Sequence, residues 1–371
     1  MRILFVSVNS NPLATPKNGD TQRTRLLYEA CSQIANVDVI SLAGQEPRFQ
    51  RRSKLRKWLE ILPFTKITFV FPVNPSWEAT VDDAIRNKHY DYIVARYFNR
   101  AIACGLWKYH DRLIIDFDDA LPFLFLNQIE PSSAWTTRLR LKLASQKAKA
   151  ISKRAVKKIH AAFFAKKNTA LANRGIYLPN IPFYGNTCPD ADLDTSHPRV
   201  LFVGQLEYEP NREGLDYFLE QVYLPLYKRL PNVEMHIVGL IHNKSLHQRW
   251  ESYPNVTVTG FVDDLSQEYT DCQVVVIPIR RCGATNIKLL EAMAMNRACI
   301  ATREVFNTFE GQFADRNDLY VADNVDEFVD SVYILLTNNA ENRRIAQNAQ
   351  KSMKTYYSFE AFADIIKSAI Q

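Results

Sequence analysis

The sequence predicts an α/β protein of two Rossmann-like domains, with mostly parallel sheets facing a central cleft. Three observations predict it. The chain has 371 residues, about the length of two ordinary domains. Short β-rich runs alternate with longer helical stretches, the pattern of βαβ units. The series also restarts, because the apolar opening run Met1–Val8 has a counterpart in Arg199-Val-Leu-Phe-Val-Gly204.

The elements follow in order. Ile3–Val8 reads as a strand. It is too short for a secretory h-region with its cleavage site, and it runs into the polar loop Asn9–Gly19. Asp20 or Thr21 caps a helix to about Ile34. Strands are expected at Val37–Leu42, Ile67–Phe71, Tyr92–Tyr97, Leu113–Phe117 and Ala161–Ala165, the last of this half. Helices are expected at Trp77–Asn87 and Asn99–Tyr109. Residues 179–198 contain Pro179, Pro182, Gly185, Pro189 and Pro198, a linker composition. The second series runs helix Glu213–Arg229, strand Val233–Val238, helix Lys244–Ser252 and strand Val256–Thr259. It continues with strand Val274–Ile279, helix Ile287–Met295, strand Ala298–Thr302, and helices near 325–337 and 340–355. The expected domains are 1–185 and 186–355, with 356–371 as a C-terminal helix packing back on the first.

Composition excludes several classes. At 47% hydrophobic and 23% charged the chain is ordinary for a globular protein. No apolar run approaches the roughly 18 residues that span a bilayer. The six cysteines form no CxxC pair, which argues against zinc ribbons and disulfide scaffolds and fits a reducing cytoplasm. The net charge of +6 conceals a split: residues 1–185 carry +15 and residues 186–371 carry −9. Such asymmetry points to a basic half that meets an anionic surface.

The densest chemistry lies between Ile277 and Thr302, read as strand, loop, helix, strand. The small residues Gly283, Ala284 and Thr285 let a ligand approach the backbone. They open a helix whose first N–H groups lack partners, an anion site suited to a diphosphate. Arg280, Arg281 and Lys288 add positive charge. Lys288 and Glu291 share a helix face, and a carboxylate there accepts hydrogen bonds from ribose hydroxyls, as in dinucleotide-binding folds. The competing reading is an ordinary βαβ helix with a surface Lys–Glu pair.

The run Gly283-Ala-Thr-Asn-Ile-Lys-Leu-Leu-Glu-Ala-Met-Ala294 resembles the donor-site motif of GT-B glycosyltransferases of the GT4 type (family 4, group 1). In that family an E-x7-E pattern precedes A-M-A-x-G-x-P-V. Glu291 matches the second glutamate, which holds the nucleotide ribose. The first falls at Gly283 and is absent, which bears on contacts to the transferred sugar and not on those to diphosphate and ribose. Asn296 stands where glycine is usual and Ala298 where proline is usual. Val203-Gly-Gln-Leu206 with Pro210–Gly214 resembles the first strand-to-loop turn of the donor domain. Gly204 matches there, while Gln205 takes the place of a phosphate-contacting arginine. Arg212 nearby reads as a solvent-facing turn residue. In Val258-Thr-Gly-Phe-Val-Asp-Asp264 the resemblance implies that Phe261 packs on the base and the Val262 backbone pairs with its edge. A buried strand-end aromatic is the competing reading for Phe261.

In the first half, Gly19-Asp-Thr-Gln-Arg23 resembles the family's glycine-containing loop that faces the cleft. Arg23 and Arg96 are candidate cleft cations, with surface arginines as the alternative. Asp116-Phe-Asp-Asp119 sits at a strand's C-terminal end, where α/β folds keep ligands. Asp118 or Asp119 is the candidate acceptor-side base or hydroxyl anchor. No metal is expected, because the resemblance implies the metal-independent route. The run Ala120–Leu126 is apolar and reads as a lipid contact or a buried helix start.

Ser133–Ile159 holds nine Lys/Arg and no Asp or Glu, while Leu141, Ala144, Ala148, Ile151, Ala155 and Ile159 recur every three or four residues. A second basic cluster, within residues 48–58, ends at Trp58. Basic amphipathic segments of this kind suit an anionic membrane surface. No nucleic-acid recognition module is present, so nucleic acid is not an expected partner. The resemblance implies a retaining hexosyltransferase in polysaccharide or cell-envelope glycan synthesis. Its donor is a UDP- or GDP-sugar co-substrate, it has no cofactor, and its acceptor is a glycan or lipid-linked. It would be cytoplasmic and peripheral on the inner face of the plasma membrane. Lys288 and Arg280 carry the expected catalytic charge stabilisation. A nucleotide-sugar 2-epimerase of the same fold and a non-catalytic membrane scaffold are the alternatives.

Overall fold

The computed structural model describes residues 1–16, 19–45, 59, 70–118, 134–165, 175–182, 196–281, 286–309 and 311–371. The chain divides into two units, Met1–Pro179 with Phe362–Gln371, and Asn180–Ala361. The break thus falls after Pro179, a few residues ahead of the expected 185, inside the proline-rich stretch. Of the sequence-based expectations, most of the strand near Ile67, the basic cluster 48–58, the run 120–126, and Asp119, Gly283, Ala284 and Thr285 lie outside the described residues.

Unit 1 contains β1 (Arg2–Ser7), α1 (Gly19–Ile34), β2 (Asn36–Ser41), α2 (Pro75–Asn87), β3 (Tyr92–Arg96), α3 (Phe98–Ala103) and β4 (Leu113–Asp118). It continues with α4 (Trp135–Val156), β5 (Ala161–Phe164) and β6 (Ile176–Tyr177). The strands pair in parallel in the order β2-β1-β3-β4-β5-β6. β5 is therefore not the last strand of this half: two residues, Ile176 and Tyr177, add β6 beside Phe163 and Phe164. So short a strand gives no readable alternation. β4 is buried from Leu113 to Phe117, an apolar run interrupted only by Asp116. That is the signature of a parallel strand covered on both faces. Phe117 stacks on Phe98 at 5.3 Å and on Phe164 at 4.9 Å, which ties α3, β4 and β5 into one core. Asn74 caps α2 by accepting from the Ser76 and Trp77 amides, a polar side chain meeting orphan N–H groups.

α4 corrects one expectation. The apolar stripe of this basic helix does not face lipid: Leu141, Ala144, Ala148 and Ala155 are buried in unit 1. The cations occupy the outer side, with Arg138, Lys142, Lys149, Lys153 and Arg154 exposed. The three-to-four spacing reads equally for both environments, and packing on the sheet decides it.

Unit 2 contains β7 (Arg199–Val203), α5 (Glu209–Tyr217), a π-type turn (Phe218–Tyr223), α6 (Leu224–Arg229), β8 (Glu234–Val238), α7 (Lys244–Glu251), β9 (Val256–Gly260) and α8 (Ser266–Asp271). It continues with β10 (Val274–Ile277), α9 (Ile287–Ala294), β11 (Ala298–Thr302), α10 (Arg303–Phe306), β12 (Tyr320–Ala322), α11 (Val325–Thr337) and α12 (Asn339–Tyr357). α13 (Phe359–Ile370) begins in unit 2 and continues in unit 1. The parallel order is β12-β11-β10-β7-β8-β9. α9 ends with Asn296 at φ 51° and with Arg297 N–H donating to the Ala292 carbonyl at 3.0 Å. This is a Schellman-type stop in which asparagine tolerates the left-handed turn.

In each sheet the strand order reverses beside the first strand. In unit 1 the reversal lies between β1 and β3, and in unit 2 between β7 and β10. Open parallel sheets bind ligands outside the carboxyl ends of the strands at such a point. Each unit therefore has one predicted crevice, and the candidate residues converge on both. Among the described residues no helix is long and apolar enough to cross a membrane.

Candidate functional site

The unit 2 crevice is built by the ends of β7 and β10 and the start of α9. Lys288 lies in the first turn of α9, and its Nζ donates to Asn211 Oδ1 at 2.5 Å. It also sits 5.1 Å from the centre of the Phe202 ring, a cation–π contact. Asn211 Nδ2 donates to the Gln205 carbonyl at 2.8 Å. Asn211 is buried, so it fixes both the turn after β7 and the ammonium of Lys288. Gly204 leaves the space above: a Cβ there would lie 3.0 Å from Asn211 Nδ2 and 3.3 Å from Lys288 Nζ. Residues 203–214 and 287–291 thus form one local constellation. Glu291 is half-buried, three residues beyond Lys288.

Gly239, at the end of β8, makes the closest backbone approach. A Cβ there would fall 1.7 Å from the Gly204 carbonyl oxygen, and its φ is 152°. Gly239→Ala is expected to push the Gly204 turn aside. It should cost about 2 kcal/mol or more and impair anion binding at Lys288. Thermal unfolding and nucleotide binding check this. Wild-type values for both would show that the approach is not tight.

Other candidates separate by geometry. Arg280 is exposed after β10, with its guanidinium 4.8 Å from the Tyr217 ring centre. Arg281 is held by Glu213 and Glu209 on α5, so two carboxylates offset its charge. Gln205 and Arg212 are exposed. Phe261 is 66% exposed at the end of β9, which excludes the buried-aromatic reading, and Val262 beside it is half-buried. Glu207 accepts the His242 and Asn243 amides at 2.7 Å each. Those amides hold its carboxyl below the usual range and bind the β7 turn to the one after β8.

The unit 1 crevice holds a buried ionic network. Arg23 of α1 donates to both oxygens of Asp116, at 2.8 Å and 2.7 Å, and to the Pro179 and Leu178 carbonyls. Arg96 donates to Asp116 at 3.0 Å, to Asp118 at 2.7 Å, and to Asp20 Oδ1 and Thr24 at 2.8 Å each. The Tyr97 hydroxyl donates to Asp20 and lies 3.3 Å from Asp118. Burial alone would raise the Asp116 carboxyl, but Arg23 and Arg96 outweigh it and hold the group below its ordinary value. Burial also raises the Tyr97 phenol, and the neighbouring carboxylates raise it further.

This corrects the expectation for two cations. Arg23 and Arg96 are nearly inaccessible and are committed to Asp116 rather than offered to a ligand. An arginine at the first turn of a helix looks the same in sequence whether it points outward or inward. Gly19 opens on space, with nothing within 4 Å of the point where a Cβ would lie. The network exposes the carboxylates of Asp118 and Asp20 in part. Two residues here, Tyr97 (φ 63°) and Asp118 (φ 54°), take left-handed backbone conformations at adjacent strand ends. Such strain gathers at functional sites. Sequence reasoning missed Asn211, Asp20 and Tyr97. The first sits in the turn block already singled out, but only the fold brings it to Lys288.

Residues 197–338 match the family model described as "Glycosyl transferases group 1". No curated protein matches the chain. Among solved structures, sucrose-phosphate synthase from Thermosynechococcus elongatus superposes with a TM-score of 0.67 at 16% identity, over 99% of this chain and 97% of that one. HepE of Anabaena, in complex with UDP, gives 0.63 at 15% identity, over 100% and 99%. WaaG, a glycosyltransferase involved in lipopolysaccharide biosynthesis, gives 0.60 at 16%, over 99% and 98%. At these identities the likeness is one of fold. The matched stretch spans the β7 turn, Asn211 and Lys288, and the chain has the GT-B fold of two Rossmann-like units, the second of which is similar to the glycosyl transferases group 1 model.

Proposed function

We propose that the protein is a glycosyltransferase that moves a sugar from a nucleotide-sugar donor to an acceptor. The observation that carries this is the Lys288–Asn211–Gly204 constellation at the strand-order reversal of unit 2, inside the matched domain. The diphosphate sits over the start of α9, where the first-turn N–H groups and Lys288 stabilise the charge that develops as the nucleoside diphosphate departs. Arg280 adds charge from the end of β10. Glu291 takes the ribose hydroxyls, exposed Phe261 packs on the base, and the Val262 backbone pairs with its edge.

The donor is a UDP-sugar by preference, supported by the fold's occurrence in a protein solved with UDP and with UDP-glucose. A GDP-sugar is the alternative. The transfer is hexosyl, retaining and metal-independent, with no cofactor. Unit 1 takes a glycan or lipid-linked acceptor in polysaccharide or envelope glycan synthesis. There Asp118, held by Arg96 at 2.7 Å and partly exposed, serves as the base or hydroxyl anchor. The protein works in the cytoplasm, peripheral on the inner face of the plasma membrane, and its basic segments meet anionic lipid.

A thermal-shift screen against UDP-, GDP- and ADP-sugars tests the donor reading. Saturation at a hundredfold over Kd is expected to stabilise unit 2 by about 2.7 kcal/mol. Absence of a shift with every nucleotide sugar would overturn it. Incubation with a UDP-sugar and no acceptor should yield no epimer.

A further inference from the structure

α4 carries two apolar stripes on opposite sides. The inner one is buried in unit 1. The outer one is Trp135, Leu139 and Leu143, spaced by four and exposed at 74%, 42% and 37%. At helical rise this is a ridge about 12 Å long on the first turns of the helix. Trp135 is the most exposed large hydrophobic side chain among the described residues. Single exposed leucines are common, but a tryptophan aligned with two leucines marks a contact surface.

Farther along, the same outward side turns cationic, with Lys153, Arg154 and Lys157 exposed, while Arg138, Lys142 and Lys149 flank the ridge. The helix carries seven Lys/Arg and no carboxylate. We propose that this face of α4 docks on an anionic lipid bilayer. Trp135, Leu139 and Leu143 enter the boundary between headgroups and acyl chains, and the cations meet lipid phosphates. The inference rests on the peripheral-membrane reading above and names its contact residues.

Charge selects this occupant. Two copies joined through the ridge would set seven cations against seven with no acid on either helix to offset them. An aromatic ring beside lysine and arginine is the arrangement favoured at the bilayer interface. The outer ridge also supplies the apolar contact that the inner stripe, buried in the core, does not.

The test is co-sedimentation of the full chain with phosphatidylcholine vesicles, with and without about 30 mol% phosphatidylglycerol. Wild type is expected to bind the anionic vesicles at least about tenfold more tightly than neutral ones, with a blue shift of tryptophan emission. The combined variant Trp135→Ala, Leu139→Ser, Leu143→Ser should bind about tenfold or more weakly and lose that shift. Its unfolding temperature and its stabilisation by UDP should be unchanged, because all three side chains are on the surface. Indifference of the wild type to anionic vesicles would overturn the proposal, as would equal vesicle binding by the variant. So would a change of oligomeric state in the variant without a change in vesicle binding. Stabilisation by UDP is read separately, so failure of the donor reading and failure of the ridge are distinguishable.

Discussion

Lys288→Ala is expected to lower sugar transfer by about a hundred- to a thousandfold, the effect of removing one preorganised donor from a site of developing charge. The side chain is partly buried, and Asn211 and the Phe202 ring already hold its ammonium in place. Such a charge does not reorganise when the diphosphate leaves, so it acts chiefly in the transition state. The fall should therefore appear mainly in kcat, with a smaller loss of donor affinity. The fold should survive, because removing a polar head at the crevice empties no core volume. Lys288→Arg is not a conservative rescue, since Gly204 and Asn211 leave space for a point charge and not for a planar fork. Turnover within about threefold of wild type in the alanine variant would remove the basis of the assignment.

Asp116→Asn is expected to be the most damaging single change in unit 1. It strips the shared carboxylate from two buried guanidinium groups, Arg23 and Arg96. Breaking a buried pair from one side typically costs about 3–5 kcal/mol. For a unit of this size that lowers the unfolding temperature by roughly 6–20 °C. The pH dependence follows from the direction of the shift. The folded Asp116 carboxyl titrates below its unfolded value of about 3.9. Its contribution is complete above that value and is lost as pH falls through the folded one. Wild type should therefore lose stability on acidification below about pH 4 in a step that the variant lacks. Calorimetry across pH checks both effects; a variant transition that coincides with wild type at neutral pH would contradict the network's role.

The two βαβ series were legible because the central strands are nearly continuous apolar runs, broken in β4 only by Asp116, as a doubly covered parallel sheet requires. β12 and β6 were not, because two or three residues carry no period. Lys288 and Glu291 stood out by spacing on one short helix. Their partner Asn211 lies 77 positions away in sequence, and only the adjacency of β7 and β10 brings it near. Arg23 and Arg96 were seen as charges, but their burial was hidden, since Asp116 reads as a strand residue until β3 and β4 pair. The basic helix showed its cations plainly and misled on its apolar side, where two stripes compete and only packing tells them apart.

The return of Phe362–Gln371 to unit 1 has a consequence for biosynthesis. Unit 1 begins at the ribosome first, yet its last helical segment is made only after all of unit 2. His160, at the start of β5, stays without its contact to the Ala369 carbonyl until then. At ordinary translation rates that delay is about 10–40 s. For that time the nascent first unit has an uncovered apolar seam where Phe362, Ile366 and Ile370 later bury. Chaperone dependence, and sensitivity to truncation ahead of Phe362, should both trace to that seam.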